Sequence, residues 1–483
     1  MLGKVSVVVG VLMLIPLTLS LAYGESCWWT FAATLGVSLS LGLPLALLCK
    51  PKTQAIYSRE GLITVSLTWI LVSVLGALPF VFSKTIPSFV DALFEMVSGF
   101  TTTGASILTG EQIEALPKSL QLWRCFTHWI GGMGIIVFVM AVVAGSADRS
   151  MHVLRAEMPG PVVDKIVPRA RNTAKILYLI YIGLTLLQIL LLCLGGMPLF
   201  DSVANSFSTA GTGGFGIKAD SIASYSAYSQ WIIAVFMILF GVNFNVYYLL
   251  LIRRFRSVLS STELLIYLGI IVFSAGTICV DVFKAFDYTT SFGEALRHSV
   301  VQVASFITTT GNSSIPPTSS INAWPNYSKA VLFLLMFVGG CAGSTAGGLK
   351  VSRVAMLCCV VKKELKKVLH PRNANSVRFE GKNLSEETMH GVASYFGLYM
   401  FIFAAVFVVL SFDPCAELTL ESNITATASC LNNVGPAYGV AASGYYMYSD
   451  LSKIVLTLAM LLGRLEIYPI LLTLAPATWL RKA

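Results

Sequence analysis

Four times along the chain, a short apolar stretch ends in a polar motif built around glycine. The motifs read Val97-Ser-Gly-Phe-Thr-Thr-Thr-Gly104, Asn205-Ser-Phe-Ser-Thr-Ala-Gly-Thr-Gly213, Ala304-Ser-Phe-Ile-Thr-Thr-Thr-Gly311 and Ala428-Ser-Cys-Leu-Asn-Asn-Val-Gly435. Their glycines lie 109, 98 and 124 residues apart. A unit that recurs about every 100 residues decides the architecture before any local signal does. The stretch before the first motif, residues 89–100, would form a helix of about 18 Å, too short for a hydrocarbon core of about 30 Å.

Longer apolar stretches surround these short ones. Residues 5–23, 31–48, 62–82, 122–144, 176–194, 231–252, 264–283, 329–361, 392–412 and 454–474 each have the length of a transmembrane helix. Composition agrees, with 55% hydrophobic and only 12% charged residues, against about 25% charged in a soluble domain. That excludes a cytosolic enzyme, a nucleic-acid binder and a disordered chain. The expected fold is an all-α polytopic membrane protein: an N-terminal helix pair (1–56), then four span–half-helix–span repeats (57–148, 149–256, 257–375 and 376–483) in pseudo-fourfold symmetry around one pore. A single Lys precedes the first span and no small-residue cleavage site stands out, so it reads as a helix rather than a signal peptide.

Charge orients the spans. The loops 50–60, 145–175, 253–263, 350–388 and 481–482 carry 23 basic and 9 acidic residues, whereas 83–120, 195–230, 284–328 and 412–450 carry 5 basic and 12 acidic. The net values, +14 and −7, place the first set and both termini in the cytoplasm. The motifs then lie at the end of re-entrant segments that enter from outside, where an irregular backbone is tolerated only against protein or a watery cavity.

A monovalent cation needs oxygens in place of its water, and rings of backbone carbonyls supply them. Glycine lets successive carbonyls turn inward, helix C-terminal dipoles favour a cation, and threonine hydroxyls add oxygens. In the second motif either Gly211 or Gly213 can be the pivot; Gly213 matches best because Thr212 precedes it, as Thr103 precedes Gly104 and Thr310 precedes Gly311.

Two further features lie within spans. Residues 339–348 contain Gly339, Gly340, Gly343, Gly347 and Gly348, and each glycine costs a helix about 1 kcal/mol against alanine. The span at 329–361 is therefore expected to break in mid-membrane into a loop that also includes Ser344, Thr345 and Ala346, with Lys350 on its cytoplasmic side and the filter above it. Arg464, in the last span, is a charge at membrane depth and hence a functional candidate facing the pore below the filter. Glu466 is its nearest opposite charge in sequence, but residues i and i+2 of a helix do not face each other.

Several signals are discounted. Residues 211–216 fit GxGxxG but follow a half-helix, not a strand. Residues 343–350 resemble a P-loop with the Lys one place late. The ten Cys show no metal spacing, and Cys415 and Cys430, about 22 Å apart along a helix, are beyond disulfide reach and read as buried thiols. Of the five His, only His128 sits within a span, with packing as its expected role. Asn326 and Asn423 begin sequons of little weight.

The residues resemble those of a family. SGFTTTGAS at 98–106, HWIGGMGIIVF at 128–138, RAEMPGP at 155–161, FVGGCAGSTAGGLKV at 337–351, ELKKVLHP at 364–371, LNNVGPAYGV at 431–440 and GRLEIYPILL at 463–472 are similar to stretches of Trk-type potassium uptake subunits, the TrkH/TrkG group of the superfamily of K⁺ transporters. The likeness covers nearly the whole chain. It implies K⁺ held by the carbonyls of Thr102 and Thr103, Gly211 and Thr212, Thr309 and Thr310, and Asn433 and Val434. It makes 339–350 an intramembrane gating loop. Gly104 matches the K⁺-selective members, where Na⁺-passing relatives carry Ser. Gly211 stands where the family has a larger residue, which would loosen one wall. The resemblance further implies a homodimer in the bacterial inner membrane with one pore per protomer. It also implies a TrkA-type cytoplasmic ring that binds NAD(H) or ATP, for which Lys362, Lys363, Lys366, Lys367 and Arg372 offer a basic surface. No cofactor is expected in this chain. The competing class is an H⁺- or Na⁺-coupled secondary transporter, which usually shows two inverted repeats rather than four parallel ones.

Overall fold

The computed structural model describes residues 1–48, 58–134, 170–286, 291–315, 321–370 and 378–479. Six helices among these are long and apolar enough to cross a bilayer: Leu2–Ala22, Trp28–Leu47, Arg59–Phe82, Lys175–Leu194, Thr262–Ala285 and Glu386–Leu410. They coincide with the expected N-terminal pair and with the first span of each repeat. The pair packs through small residues: a Cβ on Gly42 would meet the Gly3 carbonyl and Val7, and Ser6 Oγ donates to the Ser38 carbonyl at 2.9 Å.

The second span of each repeat behaves differently. It starts as a helix of 13 to 15 residues (Lys118–Gly132, Ala227–Phe240, Asn326–Val338 and Asp450–Arg464) and then stops. The chain bends by 90° between Ala227–Phe240 and Phe244–Leu251. It leaves the helix altogether over 339–350 before Val351–Leu369. After Arg464 it turns through Glu466 and Ile467, both at positive φ, into Tyr468–Leu474. Of these breaks the sequence predicts only the one at 339–350; the spans at 231–252 and 454–474 were expected to be continuous helices and are not. For the span at 122–144, residues 135–144 lie outside the described ones, and the part that is described ends its helix at Gly132.

Tertiary partners cause these breaks, which is why hydropathy missed them. Asn243 caps the new helix by accepting from Asn245 N at 2.9 Å, and Phe244 N donates to the Gly343 carbonyl at 3.1 Å. Gly131 and Gly463 stand where a Cβ would overlap the carbonyls of Phe100 and Leu431, the closing residues of two half-helices. These two helices therefore end against half-helix tips, whereas Asn326–Val338 ends against Gly347 and Gly348.

The four half-helices are Phe89–Phe100, Leu199–Gly211, Phe292–Ile307 and Leu420–Asn432. Ser88, Ser291 and Thr419 cap three of them by accepting from Asp91, Glu294 and Ser422 backbone N–H groups. Their C-terminal turns are buried.

Gly463→Val is expected to lower the thermal stability of the purified protein by about 1–3 kcal/mol, because its side chain must displace Leu431 backbone. Gly183→Ala, with nothing within 4 Å of the added atom, is expected to be neutral within about 0.5 kcal/mol. Melting curves in detergent check both.

Candidate functional site: a ring of four half-helix ends

All four half-helices end in one geometry. The residue after the last turn is left-handed: Thr102 and Thr309 at φ 55°, Thr212 at φ 55° and Asn433 at φ 56°. The next residue donates its N–H five residues back to a serine carbonyl. These bonds are Thr103 to Ser98 (2.9 Å), Gly213 to Ser208 (2.9 Å), Thr310 to Ser305 (2.8 Å) and Val434 to Ser429 (2.9 Å). This is the 6→1 bond of a Schellman ending, whose left-handed place glycine normally fills. Here three of the four are β-branched threonines, a conformation that costs about 1–3 kcal/mol each and persists where the surroundings impose it.

Two residues further on, a glycine takes positive φ: Gly104, Gly214, Gly311 and Gly435. This corrects the expected register of the second motif by one. The counterpart of Gly104 is Gly214, not Gly213 or Gly211, and the pair that corresponds to Thr102 and Thr103 is Thr212 and Gly213 rather than Gly211 and Thr212. Matching the letter Thr-Gly misled, because Gly213 occupies the place that threonine or valine fills elsewhere. Gly211 closes its helix with no room for a side chain, since a Cβ there would overlap the His128 backbone, and a Cβ on Gly213 would overlap the His128 ring. The small residues thus admit His128, which stacks on Phe215 at 4.2 Å and whose Nδ1 lies 3.3 Å from Ser208 Oγ. They do not leave a loose wall.

The four glycines also close a cycle. A Cβ on Gly104 would overlap the Gly213 carbonyl, one on Gly214 the Thr310 carbonyl, one on Gly311 the Val434 carbonyl and one on Gly435 the Thr103 carbonyl. Each motif presses its glycine on the next in chain order, and the fourth returns to the first. The ring is completely buried at Thr102, Thr103, Thr212, Thr309, Thr310, Asn433 and Val434. Asn433 Nδ2 donates to Thr103 Oγ1 at 2.9 Å and to the Met460 carbonyl at 2.9 Å, which ties the motif without threonine to its neighbour.

The loop 339–350 meets the ring at the residues that end the half-helices. Gly347 N donates to Thr309 Oγ1 at 2.6 Å and Gly348 N to the Asn432 carbonyl at 3.0 Å. The loop folds on itself: Leu349 N reaches the Phe337 carbonyl (3.1 Å), Val351 N the Gly340 carbonyl (3.0 Å), and Gly339, Gly343 and Gly348 take positive φ. Lys350 is buried and its Nζ donates to the Ala346 carbonyl, while Ser344 Oγ donates to the Cys341 carbonyl. Arg464 joins the parts. Its Nη1 donates to Thr102 Oγ1 (3.0 Å) and to the Thr345 carbonyl (2.9 Å), and its Nη2 to the carbonyls of Gly131 (2.6 Å) and Gly132 (2.7 Å). Glu466 binds Arg353.

Sequence reasoning missed Glu263. Its buried carboxylate Oε1 accepts from Ala342 N at 2.7 Å and from Ser352 N at 3.2 Å, and so clasps both ends of the loop. Counted with the loop 253–263, it stands immediately before the apolar run 264–283, and that position at the edge of a span was the only available signal. Of the discounted residues, Asn423 is buried and bonded to Leu410 and Tyr448, closed to any sugar. Cys430 is buried, but Cys415, expected to be, is half-exposed; both are free thiols. Arg372 lies outside the described residues.

Glu263→Ala leaves two loop N–H groups without their acceptor, at about 1–3 kcal/mol each. It is expected to speed maleimide labelling of Cys341, buried in that loop, by roughly tenfold or more. Mass spectrometry of the labelled protein checks this, and an unchanged rate at Cys341 counts against the clasp.

Residues 30–480 match the family model described as TrkH, a cation transport protein. The Trk system potassium uptake protein TrkH of Escherichia coli (strain K12) is 34% identical over 472 residues, 97% of this chain and 95% of that one. The TrkG protein of the same organism is 33% identical over 476 residues, again 97% and 95%. The crystal structure of the potassium transporter TrkH from Vibrio parahaemolyticus superposes with a TM-score of 0.86 at 30% identity, covering 99% of both chains. With its helical, multi-pass membrane fold, the chain belongs to the TrkH family of cation transport proteins.

Proposed function

We propose that the protein takes up K⁺ across the inner membrane through a pore on the axis of the four-motif ring. The carrying observation is the closed cycle of Thr/Asn–x–Gly turns, in which the corrected carbonyl pairs are Thr102–Thr103, Thr212–Gly213, Thr309–Thr310 and Asn433–Val434. Carbonyl oxygens supply the dehydrated ion without fixed charge. The four repeats then stand in pseudo-fourfold order. The relatives' names as potassium uptake proteins support the choice of ion.

In this reading the loop 339–350 is the gate and the described state is closed. Gly347 and Gly348 sit against the ring at Thr309 and Asn432, and the Arg464 guanidinium stands among Thr102, Thr345, Gly131 and Gly132, where its charge repels an approaching cation. Opening moves the loop from Thr309 and Asn432. The basic loops face the cytoplasm with both termini, and the acidic face concentrates cations at the mouth. A homodimer with a cytoplasmic TrkA-type ring, which itself binds NAD(H) or ATP, completes the assembly. Lys362, Lys363, Lys366 and Lys367 are its proposed docking surface. Coupling to H⁺ or Na⁺ is the alternative mode.

Purified protein in liposomes is expected to take up radioactive rubidium ion, with K⁺ competing and Na⁺ competing weakly; equal competition by Na⁺ overturns the K⁺ reading. A reversal potential that moves with an imposed pH gradient would favour coupled transport. Arg464→Ala is expected to raise flux by about three- to tenfold through loss of the repelling charge. An unchanged flux in folded protein removes Arg464 from the gate.

A further inference from the structure

Behind the ring lies a pair of charges that the gate and the filter carbonyls leave unexplained. Glu95, on the first half-helix, and Arg124, on the helix Lys118–Gly132, are both completely buried. Arg124 Nε donates to Glu95 Oε1 at 2.8 Å. The Glu95 carboxylate also accepts from Ser106 Oγ at 3.0 and 3.1 Å and from Ile107 N at 3.0 Å. Arg124 Nη2 lies 3.3 Å from Ser106 Oγ, Nη1 donates to the Gly216 carbonyl at 3.2 Å, and the guanidinium sits 4.2 Å over the Phe215 ring. The pair therefore grips the chain two residues past Gly104 with one member and one to two residues past Gly214 with the other.

The other repeats place this in context. Three residues before the Schellman serine stand Glu95, Asn205, Gln302 and Ala426. Gln302 Nε2 donates to Ser313 Oγ at 3.1 Å, and Ser313 follows Gly311 by two, as Ser106 follows Gly104. Repeat three thus makes the same brace with a neutral amide. Repeat four has alanine at this place and braces from the preceding residue, Thr425 Oγ1 accepting at 2.9 Å from Tyr438 N, three residues past Gly435. Asn205 turns instead to the Asp201 carbonyl at 2.9 Å. Among these four braces in the described residues only the first is an ion pair, and its Arg124 reaches the strand past Gly214 directly; in repeat three neutral groups make the crossing, Ser313 N donating to Ser221 Oγ at 3.1 Å and Ile222 N to the Ser313 carbonyl at 3.1 Å. A buried ion pair is costly where a hydrogen-bonded amide serves, and its best-attested use is to specify one geometry rather than to add stability.

We propose that Glu95 and Arg124 are positioning residues for ion discrimination, which fix the distance between the first and second filter strands. This rests on the filter reading above. Neither residue touches the ion; they act through the strands of Gly104 and Gly214. Removing one charge lets the two strands part, so that the carbonyl cage adapts to Na⁺ as well as K⁺.

The test is the reversal potential of purified protein in planar bilayers with K⁺ on one side and Na⁺ on the other. Glu95→Gln and Arg124→Gln are each expected to lower the K⁺ over Na⁺ permeability ratio by about fivefold or more while conduction persists, since each leaves the other charge uncompensated. The double variant, which also lacks the Arg124 reach to Gly216 and Phe215, is expected to keep a ratio as low as the single variants, without adding their two effects. Asp91→Asn, on the same half-helix as Glu95, breaks an ion pair with Lys453 of the helix Asp450–Arg464 and is expected to leave the ratio unchanged. Should the single variants fail to fold, Ser106→Ala and Phe215→Leu decide, with a smaller shift in the same direction. A selective parent protein whose variants keep its ratio, or an Asp91→Asn shift as large as theirs, overturns the brace alone. A parent protein that does not discriminate overturns the filter reading itself.

Discussion

The bilayer interior offers no water to a peptide group, and this one constraint organises the molecule. A helix that stops at membrane depth must hand its free N–H and C=O groups to other protein. Here eight chain ends do so together: four half-helices stop at left-handed residues, three second helices stop against their tips and Asn326–Val338 stops against Gly347 and Gly348 of the loop. Each break provides partners for another. Gly347 N finds Thr309, Gly348 N finds Asn432, Cys341 N finds Gly241, and Arg464 takes the carbonyls that Gly131 and Gly132 no longer share within a helix. The irregular backbone that a transport path requires is stable only because it is collected in one place.

The same logic explains the charges inside the fold. Arg464, Glu263, and the Glu95–Arg124 pair all bind backbone that lacks a helical partner. A charge is expensive at this depth, yet a guanidinium with several donors satisfies several carbonyls at once. Their positions divide the labour. Glu95 and Arg124 hold the strands leaving the ring, Arg464 and Glu263 hold the loop that meets its other side.

Much of this was legible in the chain. Span lengths, the half-helices, the glycine motifs at a common period and the break at 339–350 follow from apolar length and glycine density, which act locally. The hidden part was non-local. The breaks at Gly241 and after Arg464 leave no trace in hydropathy, because one glycine or one turn suffices when a neighbouring loop accepts the freed groups. The second motif's register was misread for a related reason. Gly211 and Gly213 are small to admit His128 from another helix, and the residue equivalent to Gly104 is recognisable only by its φ and by its contact with Thr310.

By itself, then, the sequence determined a multi-pass helical membrane protein with four short half-helices between its spans, since these depend on the free energy of moving each segment from water to lipid. The tertiary structure decided which residues face one another across the repeats. It set the cyclic order of Gly104, Gly214, Gly311 and Gly435, the clasp of Glu263 on the loop, and the reach of Arg464 from the last span back to Thr102. Those contacts join residues as many as 362 positions apart, and no local preference encodes a partner at that distance; only the packing of the half-helix ends brings it within hydrogen-bond range.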